Sequence, residues 1–244
     1  MDVQAYKKLE GNINMTGFKL DLPAEVLQII QVLNENGHKA HVVGGCVRDC
    51  ILGRVPGDWD ITTSAKPETV KTLFTDTIDT GIKHGTVSVI LEGKRFEVTT
   101  YRIDGEYADN RRPDRVEFTN SVILDLSRRD FTINAIAYHP LEGLIDPFNG
   151  LMDIKNRIIK TVGNANDRFK EDALRMLRAI RFSAQLNFEI EGATLEAIKS
   201  NNHLIRNISF ERIRDELTKI LISDQPGKFE FLKDTHLLEH IMPE

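Results

Sequence analysis

The segment "VVGGCVRDCILGRVPGDWDITTS", residues 42–64, contains the pattern that decides the fold of the amino-terminal half. A short apolar run ends in a double glycine, an amphipathic stretch follows, and a second run ends in β-branched residues. This order predicts a strand, a short helix and a second strand. Together with the segments on either side, it indicates a mixed α/β domain.

Two aspartates at the start of the second run indicate a metal site. Side chains at positions i and i+2 of a strand point to the same face, so we expect Asp58 and Asp60 to project together. Adjacent carboxylates repel each other unless a cation lies between them, and Mg²⁺ prefers oxygen ligands while keeping substrate phosphates in its remaining positions. The pair therefore predicts a Mg²⁺ site.

The double glycine predicts a phosphate-binding turn beside that metal site. Gly44 and Gly45 precede a short helix, where backbone N–H groups and the positive end of the helix can approach a phosphate closely. Arg48 adds a bidentate donor on the same helix. The alternative is a tight turn followed by a solvated strand, but the combination in one strand–helix–strand unit favours a triphosphate site.

The composition limits the classes of function. With 244 residues, 41% hydrophobic and 28% charged, the chain can form one large domain or two small ones. No apolar run approaches the roughly 20 residues of a membrane span, and the first residues lack the apolar core of a signal peptide, so we expect a cytoplasmic protein without a membrane partner. The formal charge of -5 argues against coating of nucleic acid through overall charge, so such a partner requires a local basic patch.

The periodicity of the chain changes near residue 150. Before it, short strand-like runs alternate with helical segments. After it, one short strand-like run, "IIKTV" at residues 158–162, is followed by segments that all have helical spacing, which predicts a second half that is otherwise all-α. One long helix is predicted across "ANDRFKEDALRMLRAIRFSAQLNF", residues 165–188. In the first half, "RRDFTINA", residues 128–135, predicts a helix that begins near Arg129 and buries the apolar residues that follow it.

Several motifs occur in the order of one known family. The segment at 43–68 resembles the first motif of the polymerase-β-like nucleotidyltransferases, in the bacterial-type class that includes CCA-adding tRNA nucleotidyltransferases and bacterial poly(A) polymerases. Matching motifs follow along about residues 23–244: "HGTVSV", "FEVTTYR", "DGEYADNRRPDRVEF", "DLSRRDFTINAIAY", "EDALRMLRAIRF" and "ERIRDEL".

The resemblance implies an α+β fold and a domain order. A nucleotidyltransferase head with a mixed sheet and helices would occupy residues 1–150, and an all-α neck that recognises the base would occupy 151–222. Residues 223–244 would begin a helical body, which family members usually continue with further helices, so the chain is either a truncated or a naturally short form of such a protein.

The resemblance also implies roles for individual residues. It places Gly45, Arg48 and Arg129 on the nucleotide triphosphate and Asp58 and Asp60 on the metals. The nucleotide pocket of the neck would contain Asp172, Arg175, Arg178 and Arg181.

The four pocket residues are spaced by three along one predicted helix. Steps of three drift by about 60° each, so Asp172 and Arg175 would be close enough to grip one base, with the later arginines further round. The alternative is a solvated helix face with an i,i+3 ion pair.

Glu97, from the strand "KRFEVTTYR", is a candidate third catalytic carboxylate. Polymerase-type sites often add such a group from an adjacent strand, whereas the alternative is an ordinary exposed strand glutamate.

The function that the resemblance implies is Mg²⁺-dependent addition of C and A to a tRNA 3′ end from CTP and ATP, without a nucleic-acid template. An A-adding tRNA nucleotidyltransferase or a poly(A) polymerase is the alternative enzyme, because the head motifs are shared. The intact loop "DGEYADNRRPDRVEF" disfavours a CC-only enzyme. A non-catalytic RNA-binding module on the same fold is the alternative of another class.

Overall fold

The computed structural model describes the backbone of residues 14–15 and all atoms of residues 19–105 and 115–242. These residues form two compact units. The first unit contains residues 14–15, 19–104, 116–129 and 133–151, and the second contains 105, 115, 130–132 and 152–242. The functional names of head, neck and body remain predictions for these segments.

The first unit combines short helices with a large sheet. Its helices are α1 (Ala24–Glu35), α2 (Gly45–Ile51), α3 (Pro67–Leu73) and α4 (Val122–Ser127). Its strands are β1 (Asn14–Met15), β2 (Ala40–Val43), β3 (Asp60–Thr63), β4 (Thr77–Gly81), β5 (Thr86–Leu91), β6 (Lys94–Thr100), β7 (Arg102–Asp104), β8 (Val116–Phe118), β9 (Ala137–His139) and β10 (Gly143–Ile145).

Eight of these strands form one mixed sheet in the order β1-β10-β9-β2-β3-β6-β5-β4, while β7 and β8 form a separate antiparallel pair. Within the large sheet, β3 and β6 run parallel and the other neighbours are antiparallel. The predicted strand–helix–strand unit is β2, α2 and β3, and it lies in the centre of the sheet order. The α+β fold class is therefore confirmed.

Local sequence explains the elements on either side of this unit. Helix α1 follows Pro23 and buries an apolar face through residues such as Ile29 and Leu33. The chain leaves the helix through Gly37, which has a φ of 81°. Strands β5 and β6 form a hairpin whose two turn residues, Glu92 and Gly93, both have positive φ, as a tight two-residue hairpin turn requires.

The second unit is mainly helical. The helix α5 (Gly150–Asn156) spans the point where the chain passes from the first unit to the second. It is followed by α6 (Ala165–Glu171), α7 (Leu174–Leu186), α8 (Gly192–Asn201), α9 (Phe210–Leu221), α10 (Glu230–Asp234) and α11 (Leu237–Ile241). Among the described residues, no helix is long and apolar enough to cross a membrane.

The second half contains one short strand pair, of which the sequence predicts only the first strand. Strands β11 (Ile158–Ile159) and β12 (Glu189–Ile190) pair in parallel and connect the segments before α6 and after α7. Strand β11 lies in the strand-like run "IIKTV", whereas β12, about 30 residues away, has only two residues and shows no periodicity that sequence analysis could detect.

The long helix predicted over residues 165–188 is also corrected. Helix α6 ends at Glu171, and Asp172 has extended backbone angles, φ -138° and ψ 105°. One carboxylate oxygen of Asp172 accepts a hydrogen bond from the Leu174 backbone N–H at 3.1 Å, and α7 begins there. An aspartate that bonds its neighbouring backbone competes with helix continuation, which is the physical reason for the break.

The helix predicted to begin near Arg129 does not form. Helix α4 ends before Arg129, and the chain then makes only a short 3₁₀ turn at Thr132–Asn134. The Thr132 N–H donates to the Lys160 carbonyl and the Val162 N–H donates to the Asp130 carbonyl, so these backbone groups pair with a distant segment rather than within a helix. The predicted burial of the apolar residues is confirmed for Phe131, Ile133 and Ile136.

Candidate active site

The first unit places two of the three predicted carboxylates on adjacent strands. Asp60 is the first residue of β3, and its Cα is in register with Glu97 on the parallel strand β6. Residues in register on neighbouring strands share a face of the sheet, so both side chains project to the same side. Glu97 is about half exposed and forms an ion pair with Arg95 at 3.1 Å.

Asp58 lies outside the strand that the sequence predicted for it. The strand begins only at Asp60, and Asp58 is an exposed residue in the bend that follows Gly57. The i, i+2 argument for a shared strand face therefore does not apply to this pair, because a bend rather than extended chain precedes Asp60. The electrostatic effect of Asp58 nevertheless reaches Asp60.

The carboxyl group of Asp60 is held in an acidic environment. Burial raises the pKa of Asp60 to about 6; the negative charges of Asp58 and Glu97 act in the same direction, and the Arg129 guanidinium opposes them. A carboxylate that is destabilised by burial and by two like charges is one that a cation would stabilise. The predicted metal residues thus share one electrostatic environment.

A glycine allows Arg129 to approach the same corner of the first unit. Gly44 precedes α2 with φ 83°, and a Cβ atom built at this position would lie 2.9 Å from Nη1 of Arg129. A side chain at this position would therefore be strained in its backbone and would displace the arginine. The Arg129 Nε is buried and makes no hydrogen bond within the described part of the chain.

Arg48 is fixed on α2 by two polar partners. Its Nε and Nη2 donate to a single Asp49 oxygen at 2.9 and 2.8 Å, and its Nη1 donates to the Asn134 side-chain oxygen at 2.6 Å. The adjacent Gly45 leaves room for this arrangement, since a Cβ there would lie 3.6 Å from Nη2 of Arg48. The guanidinium is largely buried, in the turn of the first unit predicted to hold phosphate.

Asp125 is a residue that the sequence analysis missed. It lies on α4, is fully buried, and faces both arginines that follow the helix. Arg128 donates to Oδ1 from Nε and Nη2 at 3.0 and 2.8 Å, and Nη2 of Arg129 lies 3.6 Å from Oδ2. The sequence signal was an aspartate inside the apolar run "VILDLS", a position at which a charged residue is buried only with partners.

The second unit gives Asp172 and Arg175 separate partners. Oδ2 of Asp172 lies 3.0 Å from Nη2 of Arg212 on α9, and Nη1 of Arg175 donates to Glu171 at 2.7 Å. Nη1 of Arg175 also contacts the Arg168 backbone carbonyl at 3.3 Å. The alternative of an i,i+3 ion pair between Asp172 and Arg175 is therefore replaced by two pairs that sequence analysis did not predict.

The two later arginines on α7 are also paired within the second unit. Arg178 donates to Asp130 from Nε at 2.8 Å and also from Nη2, while Nε of Arg181 lies 2.6 Å from a Glu216 oxygen. The Arg181 guanidinium stacks on Phe182, with its central carbon 4.1 Å from the ring centroid. Neither arginine is on a simple solvated face.

The donor chemistry of the first unit fits Mg²⁺. Among the described residues, no group of three or more His, Cys, Asp or Glu side chains is arranged to hold a metal ion by itself. Mg²⁺ is usually bound through one or two carboxylates plus substrate phosphates, so a complete protein cage is not required. The like-charged environment of Asp60 is the structural observation that supports the fit.

The mixed sheet carries Asp60 and Glu97 on adjacent strands, and Arg129 lies beside the turn at Gly44. This combination is typical of a polymerase-β-like nucleotidyltransferase. Residues 40–160 match the family described as "Poly A polymerase head domain". Residues 187–244 match the family described as "Probable RNA and SrmB- binding site of polymerase A". The chain belongs to the bacterial-type family of CCA-adding tRNA nucleotidyltransferases and poly(A) polymerases.

Curated relatives of the chain are CCA-adding enzymes. The chain is 48% identical over 222 residues to that of Lactobacillus helveticus, a match that covers 91% of this chain and 56% of the relative. It is 49% identical over 218 residues to that of Ligilactobacillus salivarius, covering 88% and 54%. The chain thus spans about half the length of the curated relatives that it matches.

Solved structures of CCA-adding enzymes have the same fold. The Bacillus stearothermophilus enzyme in complex with CTP matches with a TM-score of 0.81 and 47% identity, covering 87% of this chain and 52% of that chain. The Thermotoga maritima enzyme complexed with tRNA_CCA matches with a TM-score of 0.76 and 27% identity, covering 98% and 56%.

Proposed function

We propose that this chain carries the catalytic part of a CCA-adding tRNA nucleotidyltransferase. The observation that supports this most is the arrangement around Asp60 in the first unit. Asp60 is in register with Glu97, and the Arg129 guanidinium lies near both Asp60 and Gly44. Nearly the whole chain also resembles CCA-adding enzymes at 48% identity. The substrates are then CTP, ATP and the 3′ end of a tRNA.

The triphosphate is assigned to the arginines and glycines of the first unit. Arg129 has a buried Nε that makes no hydrogen bond to the residues the structure describes, and Gly44 permits the close approach of its guanidinium. Backbone N–H groups at the start of α2 and the Arg48 guanidinium complete the set of donors. Such groups bind the β- and γ-phosphates and stabilise the negative charge that develops on the leaving pyrophosphate.

Asp58 and Asp60 are assigned to Mg²⁺, with Glu97 as a nearby third carboxylate. The bound metal would supply charge neutralisation of the phosphates and would ease deprotonation of the RNA 3′-hydroxyl. In the transfer, the 3′-oxygen forms a bond to the α-phosphorus as the α–β phosphoanhydride bond breaks, and pyrophosphate leaves. The protein contributes orientation and fixed charges, and no side chain needs to act as a nucleophile.

The choice of base is assigned to the second unit. Cytosine and adenine both present an amino donor beside a ring-nitrogen acceptor, whereas uracil and guanine present a carbonyl beside a ring N–H. Asp172 can accept from the amino group and Arg175 can donate to the ring nitrogen, so one protein pattern selects C and A. Arg178 and Arg181, held by Asp130 and Glu216, are assigned to the same nucleotide pocket.

Two pairs must adjust for the base to bind in this way. Asp172 would share or exchange its contact with Arg212, and Arg175 would do the same with Glu171. A uracil would place its carbonyl against Asp172 and its ring N–H against Arg175, so each contact would be mismatched at a cost of roughly 1 to 3 kcal/mol.

The test is to incubate the chain with Mg²⁺ and tRNAs that lack A, CA or CCA, supplying CTP and ATP singly and together, and to sequence the products. Stepwise restoration of CCA supports the proposal. Addition of A alone, or of a long A tract, would assign the chain to the A-adding or poly(A)-polymerising relatives. RNA binding without any incorporation would assign it to the non-catalytic alternative.

A further inference from the structure

The Asp125 carboxylate accepts hydrogen bonds from three residues of the first unit and forms an ion pair with a fourth. Oδ2 accepts a hydrogen bond from the Thr62 hydroxyl at 3.1 Å and lies 3.6 Å from Nη2 of Arg129. Oδ1 accepts from the Arg102 backbone N–H at 3.3 Å and from two nitrogens of Arg128. The side chain has no solvent exposure.

The direction of these contacts connects Asp125 to the candidate metal strand. Thr62 is two residues after Asp60 on β3, so the two side chains lie on the same face of the sheet. The Arg129 guanidinium, which contacts Asp125, also lies close enough to Asp60 to lower its pKa against the effect of burial. Asp125 is therefore behind Arg129 on the face of the sheet that carries Asp60.

The carboxylate of Asp125 is a strong anchor because it remains ionised. Burial alone would raise the pKa of Asp125, but the Arg128 and Arg129 guanidiniums lower it below its ordinary value. A buried carboxylate with several charged donors holds each of them in a defined geometry. Arg129 also faces Gly44, where a Cβ would lie 2.9 Å from its Nη1.

We propose that Asp125 is a positioning residue for nucleotide transfer, which holds the Arg129 guanidinium between Gly44 and the Asp60 face and acts on the triphosphate only through Arg129. This inference rests on the proposed function, because it requires that Arg129 binds the triphosphate. Asp125 itself touches neither substrate nor metal, and its own charge would repel the phosphates if Arg129 did not shield it.

The test compares the affinity for CTP with that for CMP, each in the presence of Mg²⁺, by calorimetry on the 244-residue chain. Asp125→Asn keeps the shape of the side chain and removes its charge. We expect CTP to bind about tenfold more weakly and CMP to change by less than about twofold, because CMP lacks the phosphates assigned to Arg129.

A second mutation separates positioning from general damage. In an Arg129→Ala background, Asp125→Asn should change CTP affinity by less than about twofold, since the group through which it acts is absent. Equal weakening in both backgrounds, or unchanged CTP affinity of Asp125→Asn, would overturn the inference. A parent chain that binds no CTP would instead refute the triphosphate assignment of the proposed function, and the inference with it.

Two further variants keep the test decisive. If Asp125→Asn does not fold, Thr62→Val removes a single donor from Oδ2 and should weaken CTP binding by about two- to threefold, again only when Arg129 is present. Glu25→Gln is the matched control: it neutralises another buried carboxylate of the first unit, whose partner is Lys94 at 2.5 Å. It should lower the melting temperature without changing CTP affinity.

Discussion

The turn at Gly44 and Gly45 in the first unit and the start of helix α7 in the second unit differ in the sequence separation of the residues that form each site. In the first unit, most of the site residues that the sequence indicated, from Gly44 to Asp60, belong to one strand–helix–strand segment, which Glu97 and Arg129 join from later in the chain. In the second unit, Asp172 and Arg178 are paired with Arg212 and Asp130, which are 40 and 48 residues away.

This difference determines what each region can tolerate. A turn built from backbone conformation fails when a side chain is added, whereas a set of ion pairs fails when either partner is removed. Buried pairs are costly to break because the remaining charge is left without compensation. The predictions below test whether the first region depends on individual residues and the second on pairs.

The largest effect is expected for Asp60→Asn. Removing this charge weakens the assigned Mg²⁺ site, and we expect the rate of nucleotide incorporation to fall on the order of a thousandfold, because the metal contributes several kcal/mol. Asp58→Asn should act in the same direction. Incorporation is measured with radiolabelled CTP at saturating Mg²⁺. The control is Asp79→Asn, an exposed aspartate of the same unit that pairs with Lys71. Near-normal rates in both site variants would refute the metal assignment.

Gly44→Ala should have the next largest effect. The new Cβ would lie 2.9 Å from Nη1 of Arg129, so we expect the KM for CTP to rise by about tenfold or more as the arginine is displaced. Gly37→Ala is a matched control, because Gly37 has nearly the same φ, 81° against 83°, but nothing lies within 4 Å of its Cβ position. If both variants raise KM equally, backbone strain rather than the position of Arg129 explains the loss.

The preference for CTP over UTP should fall when either Asp172 or Arg175, the two residues assigned to base recognition, is replaced. Asp172→Ala and Arg175→Ala should each lower the ratio of kcat/KM for CTP over UTP by about tenfold, because a mismatched buried contact costs roughly 1 to 3 kcal/mol. The ratio is measured by incorporation into a tRNA that lacks CCA. A parent-like ratio in both variants would remove these residues from the nucleotide pocket.

Arg212, the partner of Asp172 in the structure, allows a more specific test of base selection. Arg212→Ala removes the contact to Asp172, and we expect it to lower the CTP preference by about threefold, since Asp172 keeps its bond to the Leu174 N–H. The matched control is Arg214→Ala on the same helix, an exposed arginine whose side chain is 62% accessible. Equal effects of the two substitutions would mean that lost positive charge, rather than the position of Asp172, is responsible.

The sequence predicts the local parts of this molecule better than the distant ones. The strand–helix–strand unit follows from glycine placement and hydrophobic alternation, which are properties of neighbouring residues. The break at Asp172 could not be predicted from helical spacing, because it depends on a side-chain bond to the Leu174 N–H and on Arg212. The buried carboxylate of Asp125 could not be placed from sequence either, because one of its partners is Thr62, 63 residues earlier in the chain.

Protonation of His41 should destabilise the first unit in mild acid. Burial lowers the pKa of His41 to about 3, and the charges of His139 and Lys39 act in the same direction. Glu142, 3.9 Å away, would oppose this, but it is half exposed and therefore screened by water. Below an unfolded pKa of about 6.5 the unfolded state binds the proton, so the His41 contribution should fall by about 1.4 kcal/mol per pH unit toward pH 3. Asp60, whose pKa is raised to about 6 in the same unit, contributes in the opposite direction below pH 6.

Denaturant titrations between pH 7.5 and 5 measure this dependence. The fluorescence of Trp59, the single tryptophan of the chain, reports on the first unit. His41→Gln should make the chain relatively more stable at pH 5 than the parent is, because the acid loss due to His41 is removed, whereas His203→Gln, an exposed histidine of the second unit, should leave the pH dependence unchanged. A parent-like slope in His41→Gln would assign the acid sensitivity to other groups.

The smallest effect in the first region is expected for Glu97→Gln. Glu97 is in register with Asp60, and its charge contributes to the raised pKa of that carboxyl, so it belongs to the same electrostatic environment. It is also half exposed and paired with Arg95, which distinguishes it from a dedicated metal ligand. We therefore expect the incorporation rate to fall by about threefold to tenfold, well short of the loss in Asp60→Asn, with an increased Mg²⁺ requirement.

Arg95→Gln frees Glu97 from its partner and should lower the Mg²⁺ requirement instead. An Asp60-like loss in Glu97→Gln would make it a full metal ligand, and unchanged activity at limiting Mg²⁺ would return it to an ordinary surface glutamate.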